Sequence, residues 1–192
     1  MSSQVSRHPR ASLNPRQSET VERLFLAAEQ ELEAVGQEAL TIRTVATRAG
    51  VSPATAYTYF ASKDHLFAEL FWRLLSSDPG PRLTGRTATA RLQQTTRHLA
   101  GVIAAAPLKA AAATRSLLGT DPDVARLRLV IGGVFVQRFR TAIGDDADPQ
   151  VLETLALAFS GALLQTGMGI DTYADLADRL DRVVGVIMKG NP

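Results

Sequence analysis

The chain has 192 residues, of which 45% are hydrophobic and 21% charged, and its formal net charge at pH 7 is +2. This composition is typical of a globular protein and excludes a fibrous repeat or a largely disordered chain. There is no cysteine, which excludes disulfides, thiolate metal sites, iron–sulfur clusters and a cysteine nucleophile.

The first segment, residues 1–14, is interpreted as a basic arm. It carries Arg7 and Arg10, Arg16 follows just beyond it, and no acidic residue occurs before residue 19. No apolar run follows these cations, so we expect no secretory signal and a cytoplasmic protein. The longest uncharged run, residues 154–170, is shorter than the roughly 20 residues of a membrane-spanning helix. It predicts a buried helix, and no membrane partner is expected.

Helical spacing recurs along the whole chain and strand-like alternation is nearly absent, which predicts an all-α fold of about nine helices. The first helix is predicted to begin after Asn14, since Pro15 fits the first helical position and Gln17 completes a capping box. It is expected to end at Gly36, which can adopt the left-handed conformation common at helix ends. Its apolar stripe comprises Val21, Leu24, Phe25, Ala28, Leu32 and Val35.

Three shorter helices are predicted next. The second begins after the cap Thr41, and the third begins after the cap Ser52, with Gly50 in the tight turn between them. The fourth begins after Ser62 and ends at residues 76–81, SSDPGP, the clearest break in the chain.

The later helices are longer. They are predicted over residues 84–106, 107–118, 122–143, 148–169 and 172–189, and the last two are expected to form a pair. Two acidic groups precede or flank prolines at helix starts, where carboxylates favour the positive end of the helix. We therefore interpret them as caps and not as a cation site; they are Asp121 with Asp123, and Asp145 with Asp146 and Asp148.

Residues 41–60, TIRTVATRAGVSPATAYTYF, have the pattern of a helix-turn-helix. Ala46 is small enough for two helices to cross closely, Gly50 suits the turn, and Val45, Val51 and Tyr59 fall at inward or half-buried positions. In such a unit the second helix enters the major groove of DNA and the first crosses the phosphate backbone.

The longer segment LTIRTVATRAGVSPATAYTYFASKDHL, residues 40–66, resembles the DNA-binding signature of the TetR family of bacterial transcription regulators. The resemblance covers residues 18–76; the later helices are similar in layout only. It implies an all-α homodimer, usually a repressor, that leaves its operator when a small molecule enters a pocket in the body. On this basis residues 15–62 form the DNA-binding domain, 63–77 a connecting helix, and 78–192 the ligand-binding and dimerisation domain.

The resemblance also implies which residues contact DNA. They are Arg43, Thr44, Ser52, Pro53, Ala54, Thr55, Tyr57, Tyr59 and Lys63. The third helix departs from many relatives, because residues 52–62 contain no Arg, Lys, Asn or Gln and bidentate base recognition from it is excluded. Our hypothesis is that Ala54, Thr55, Tyr57 and Thr58 read thymine methyls and acceptors, while Arg43 contacts a guanine or a phosphate. Which of Tyr57 and Tyr59 faces DNA stays open, as does whether the arm enters the minor groove or meets phosphates.

Two further sites are expected in the body. The candidates for an effector pocket, with a largely apolar small molecule as partner, are Trp72, His98, Arg115, Phe135, Phe139 and Gln165. The candidates for a homodimer interface on the last two helices are Leu152, Leu155, Phe159, Leu163, Leu180, Val183, Val184 and Ile187. Ser160, Gly161 and Gly167 would allow helices to approach closely there.

No sequence pattern of an enzyme occurs: the chain has no nucleophile elbow, phosphate-binding loop or dinucleotide fingerprint. We expect no catalytic residue, no metal ion and no cofactor. The functional alternatives left open are a ligand-dependent activator of transcription and a helical carrier of small molecules.

Overall fold

The computed structural model describes residues 14–145 and 147–189, which form α-helices without any strand. The helices of this described part are α1 (Pro15–Ala39), α2 (Ile42–Arg48), α3 (Pro53–Tyr59), α4 (Lys63–Ser76), α5 (Ala88–Ala104), α6 (Pro107–Leu117), α7 (Pro122–Ile143), α8 (Pro149–Gly167) and α9 (Leu176–Ile187). The chain divides into two compact units, Met1–Lys63 and Asp64–Pro192. The all-α prediction is confirmed.

The first unit is assembled from three capped helices. Asn14 accepts from the backbone N–H of Gln17, whose side chain accepts from the N–H of Asn14, so the predicted capping box is present. Gly36 interrupts α1 with a φ of 73°, and the segment after it continues as one further turn. The predicted helix end at Gly36 is therefore confirmed as a sharp change of direction.

The core of the first unit is built by α1, which contacts α2, and by α2, which contacts α3. Phe25 and Phe60 meet edge to face, with their ring centroids 5.2 Å apart, and so join α1 to the end of α3. The other buried apolar side chains include Val21, Leu24, Ala28, Leu32, Ile42, Val45, Ala46 and Ala56. This packing joins α2 and α3 to α1.

The second unit buries one face of each helix from α5 to α9. Phe159 of α8 lies between two aromatic rings of α7, with centroid distances of 4.7 Å to Phe135 and 5.6 Å to Phe139. Asp121 and Asp148 accept backbone N–H bonds at the starts of α7 and α8, which confirms them as caps. Asp146 lies outside the described residues, as do residues 1–13 of the predicted basic arm.

Two predicted helices begin later than expected. Helix α5 begins at Ala88 and not at residue 84, because Thr87 is its cap and the side chain of Gln94 accepts from the N–H groups of Thr84 and Gly85. Helix α9 begins at Leu176 and not at residue 172, because residues 173–175 form a turn before it. Local side-chain hydrogen bonds compete with the helical ones in such segments.

Much of the predicted dimer stripe packs within the chain. Five of its side chains are buried in the chain's own core, namely Leu152, Leu155, Phe159, Leu180 and Val184. The other three, Leu163, Val183 and Ile187, are half-buried. The exposed apolar side chains of the same two helices are Leu157 and Val186, 68% and 75% exposed, which lie on the opposite faces. A hydrophobic stripe at helical spacing marks a buried face, and here the chain covers it itself.

Gly167 permits a close approach of two helices within the chain. A Cβ at Gly167 would lie 2.5 Å from Cγ2 of Thr114, so α8 meets α6 at this point. Gly161 has open space around it, with no atom within 4 Å of a built Cβ, and Ser160 is exposed.

Candidate functional site

The turn between α2 and α3 has the geometry expected of a helix-turn-helix. Gly50 adopts a φ of 66°, which a residue with a side chain rarely adopts, and the N–H of Val51 donates to the carbonyl of Ala46 at 3.0 Å. Thr41 and Thr44 form a capping box at the start of α2, and Ser52 accepts from the N–H of Thr55 at the start of α3. Both helix starts are thus fixed by residues three positions apart.

The outer face of α3 is formed by small and hydroxylated residues. Ala56 is buried and attaches the helix to the core, while the exposed residues are Ser52, Pro53, Ala54, Tyr57 and Thr58. Thr55 and Tyr59 are partly exposed. Every residue of α3 that was predicted to contact DNA therefore reaches the surface, at least in part.

The two tyrosines of α3 differ in exposure. Tyr57 is 47% exposed, whereas Tyr59 is only partly exposed at the end of the helix, next to the buried Phe60. Side chains two residues apart on a helix point about 160° apart, so the two rings leave α3 on different sides. The outward position belongs to Tyr57.

Hydroxyl groups of α3 are already oriented by hydrogen bonds within the helix. The Oγ atoms of Ser52 and Thr55 lie 2.8 Å apart, and Thr58 donates to the carbonyl of Ala54 at 3.0 Å. A hydroxyl that donates to its own helix keeps its lone pairs for an outside donor. Thr58 therefore presents an acceptor, whereas either hydroxyl of the Ser52–Thr55 pair can be the donor of their bond.

Lys63 has protein partners that the sequence did not indicate. Its ammonium donates to the carbonyls of Gln37 at 3.0 Å and Glu38 at 3.3 Å, in the last turn of α1. These carbonyls are at the negative end of a helix, where a cation is stabilised. An ammonium has three N–H donors, so one remains for a phosphate.

A polar groove of about 480 Å³ opens on the first unit beside α2. It is lined by Glu31, Arg43, Thr44, Thr47 and Arg48. Only Arg43 and Thr44 of this set were predicted from the sequence. Arg48 could have been found, because it lies four residues after Thr44 and so on the same face of α2. The role of Glu31 has no signal in the sequence, since it comes from the preceding helix.

The six residues proposed for an effector pocket lie on five helices of the second unit, α4 to α8. Phe135 and Phe139 are buried together against Phe159, and Trp72 packs partly buried against the same core. Arg115 is exposed on α6. Gln165 accepts a hydrogen bond from Arg179, and His98 lies 2.8 Å from the carboxylate of Asp78. Of the polar members of this set, His98 and Gln165 thus have partners within the chain, and Arg115 is exposed.

Asp78, just after α4, is the centre of a small charged cluster. Arg138 of α7 donates to its carboxylate and, at 2.9 Å each, to the carbonyls of Leu75 and Asp78, while His98 of α5 lies against the same carboxylate. Burial raises the pKa of Asp78. The hydrogen bonds from Arg138 and His98 and the charges of these two residues together lower it by more, so the pKa lies below its ordinary value of 3.8. This cluster holds the end of α4 to α5 and α7.

Within residues 14–145 and 147–189 no helix is both long and apolar enough to cross a membrane. The same residues contain no group of three or more His, Cys, Asp or Glu side chains placed to hold a metal ion.

The chain matches the sequence model described as bacterial regulatory proteins, tetR family, over residues 24–70. A helix-turn-helix transcriptional regulator of Mycobacterium tuberculosis is 44% identical over 181 residues, which cover 93% of this chain and 85% of the relative. The transcriptional repressor KstR of Rhodococcus jostii is 29% identical over 161 residues, covering 80% of this chain and 75% of KstR. The structure of Thermus thermophilus FadR, a TetR family repressor in complex with lauroyl-CoA, has a TM-score of 0.66 at 22% identity and covers 89% of this chain and 94% of that one.

Proposed function

Since the chain belongs to the TetR family and is a DNA-binding transcription regulator, we propose that it is a repressor whose homodimer binds a palindromic operator and is released by a small, largely apolar molecule. The name of the relative KstR supports the direction of control. The observation that carries the proposal is the exposed face of α3, whose small and hydroxylated side chains follow the two exposed arginines of α2 across the tight turn at Gly50.

We propose that α3 reads the major groove mainly through shape, methyl groups and acceptors. Ala54 and Thr58 are exposed one turn apart, Thr55 lies partly exposed between them, and Tyr57 extends furthest from the helix. Small side chains approach the thymine methyl closely, and threonine hydroxyls can pair with either donors or acceptors on base edges. Arg43, at the start of α2, supplies the charged contact with DNA. Because the side chains of α3 are small or hydroxylated, we expect an operator rich in thymine opposite α3.

The proposed dimer uses the outward faces of α8 and α9. Leu157 and Val186 are the most exposed large apolar side chains of these helices, and a second copy of the chain would remove both from water. A two-fold axis relates the two α3 helices, so half-sites about 34–36 Å apart, or a multiple of this spacing, are required in the operator.

Effector release is proposed to act through α4. This helix begins at Lys63, the last residue of the first unit, and all its other residues belong to the second. Trp72 near its end packs against the core of the body, and the carbonyl of Leu75 accepts from Arg138. A ligand that shifts these contacts would move the start of α4, with a coupling free energy shared between the two sites. Lauroyl-CoA, which Thermus FadR binds, supports an acyl or similarly apolar effector.

The test is a fluorescence-anisotropy titration of the full-length protein against DNA from upstream of its own gene, at two salt concentrations and with unlabelled non-specific competitor. Tight binding that survives the competitor supports an operator reader, and release by lauroyl-CoA supports a repressor with an acyl effector. Binding that occurs only when the effector is added would reverse the sign of control and indicate an activator. No binding under either condition would contradict the proposal.

A further inference from the structure

We propose that the groove beside α2 holds a backbone phosphate of DNA between Arg43 and Arg48, and that the buried Glu31 is the positioning residue that aims Arg48 at it. This inference rests on the proposed function and adds to it two residues, Arg48 and Glu31, that sequence comparison with the family signature did not indicate.

The groove is lined by two cations of α2, Arg43 and Arg48, which lie about 140° apart around the helix axis. Arg43 and Thr47 are four residues apart, as are Thr44 and Arg48, so the four side chains form two adjacent rows along α2. Arg43 and Arg48 are separated by about 7.5 Å along the helix axis. With Glu31 the lining carries two positive charges and one negative charge, which leaves a net attraction for an anion. The first helix of a helix-turn-helix is the one that crosses the phosphate backbone.

The two arginines are held differently. Nε of Arg48 donates to Oε2 of Glu31 at 2.7 Å, and the Glu31 side chain is only 9% exposed, whereas that of Arg48 is 40% exposed. The pair therefore holds the guanidinium at Nε, while the Arg48 side chain stays partly exposed in the lining of the groove. In the part of the chain that the structure describes, the Arg43 guanidinium has no hydrogen-bond or ion-pair partner, and it can move to meet a phosphate.

This arrangement suits a phosphate more than a base edge. A guanidinium with Nε already bonded still offers two parallel donors at its end, which match two phosphate oxygens. Because Glu31 orders the side chain before DNA arrives, less conformational entropy is lost on binding. Arg48 also lies in the last turn of α2, where a cation is favourable. The ion pair thus stabilises the unit and leaves the terminal N–H donors of Arg48 for a phosphate.

The experiment measures how the affinity of the full-length protein for a non-specific duplex of about 20 base pairs changes between 50 and 200 mM salt. For Arg48→Gln we expect the slope of log K against log salt to fall by about 0.9 per protomer, with roughly tenfold weaker binding at 50 mM salt. Arg43→Gln is expected to behave in the same way. The matched control Arg140→Gln removes the same charge from an exposed position of α7, in the other unit, and should leave the slope unchanged.

Two more variants separate positioning from simple charge and from folding. Glu31→Gln removes a negative charge near the phosphate, so an effect of charge alone predicts tighter DNA binding. A positioning role of Glu31 predicts weaker DNA binding instead. In that case the double variant Glu31→Gln with Arg48→Gln should bind DNA no more weakly than Arg48→Gln alone. Arg48→Lys keeps a cation beside Glu31 but lacks the paired donors, and is expected to bind about threefold more weakly. Helical content and thermal unfolding are measured for each variant to show that it is folded.

The outcomes are distinct. An unchanged slope for Arg48→Gln, tighter binding by Glu31→Gln, or full rescue by Arg48→Lys would overturn the inference and leave a plain tether between α1 and α2, with the proposed function intact. Binding of inorganic phosphate at Arg48 with no change in the DNA slope would also overturn it, in favour of a small-anion site. If the unmodified protein bound no duplex, this inference and the proposed function would both fail.

Discussion

The ammonium of Lys63, the first residue of α4, lies 3.0 Å from the carbonyl oxygen of Gln37 in the last turn of α1. A lysine at a helix start is disfavoured by the dipole of its own helix, and here the carbonyls at the end of another helix offset that cost. The residue that the TetR signature assigns to phosphate contact is therefore also part of the structure of the DNA-binding unit.

Replacement of Lys63 by methionine is expected to lower the free energy of unfolding by about 1–2 kcal/mol, since two hydrogen bonds from a charged donor are lost at a half-buried site. Urea unfolding followed by circular dichroism measures the effect. Lys189→Met, at an exposed position after α9, is the control and should change stability by less than about 0.5 kcal/mol. A Lys63 that serves only to bind DNA would leave the unfolding curve where it is.

The two tyrosines of α3 should separate binding from stability. Tyr57→Ala removes an exposed side chain, so we expect operator affinity to fall about tenfold, which corresponds to about 1.4 kcal/mol, with little change in stability. Tyr59→Ala removes a partly buried ring and is expected to lower stability by about 1–3 kcal/mol. Anisotropy titrations and thermal unfolding of the same two samples check this. The reverse pattern would show that Tyr59 is the DNA contact.

The charged cluster at Asp78 makes stability depend on pH at the acid end. Because the pKa of Asp78 is lowered in the folded protein, its contribution is complete above the unfolded value of 3.8 and is lost as pH falls through the folded value. Asp78→Asn should cost about 2–3 kcal/mol at pH 7, through the weakened bonds to Arg138 and His98.

The measurement for Asp78 is urea unfolding of both proteins at several pH values from 7 down to about 3. The difference between parent and Asp78→Asn is expected to be constant near neutrality and to shrink at the lowest pH. Asp145→Asn, in the exposed turn after α7, serves as the control with no such difference. A difference that persists undiminished in acid would show that the carboxylate charge is not what stabilises the cluster.

The proposed dimer face gives a sharp prediction for α8. Leu157→Glu should weaken the dimer at least tenfold, because a symmetric interface loses the burial of two leucines and gains two charges. Sedimentation velocity over a range of protein concentrations measures this. Leu129→Glu alters a side chain of α7 that is just as exposed, and it should leave the dimer intact. Dissociation by the α7 change alone would place the interface elsewhere.

The local structure of the DNA-binding unit was predictable because its determinants are neighbours in sequence. Asn14 with Gln17, Thr41 with Thr44, and Ser52 with Thr55 are each three residues apart, and each forms the predicted cap. Such bonds form within a single turn and need no tertiary context. The same holds for Gly50, whose positive φ the turn requires.

The partners of charged residues were not predictable in this way. Lys63 bonds 26 residues back along the chain, Arg48 bonds 17 residues back, and Arg138 bonds 60 residues back. The sequence contains several carboxylates and carbonyls that each of these cations could bond, and only the packing of the helices brings one of them within hydrogen-bond distance. The same holds for Phe135 and Phe139, since helical spacing shows that they face inward but not that they pack against Phe159.

The sequence by itself determined the helices, their caps, the helix-turn-helix and the family, because periodicity, capping chemistry and the signature of residues 40–66 are local properties. The tertiary structure alone decided which apolar faces the chain buries within itself. In the structure Leu155 and Val184 are buried in the core, whereas Leu157 and Val186 are exposed. A helix with apolar residues on more than one face can bury either face, and only the positions of the neighbouring helices decide which face is buried.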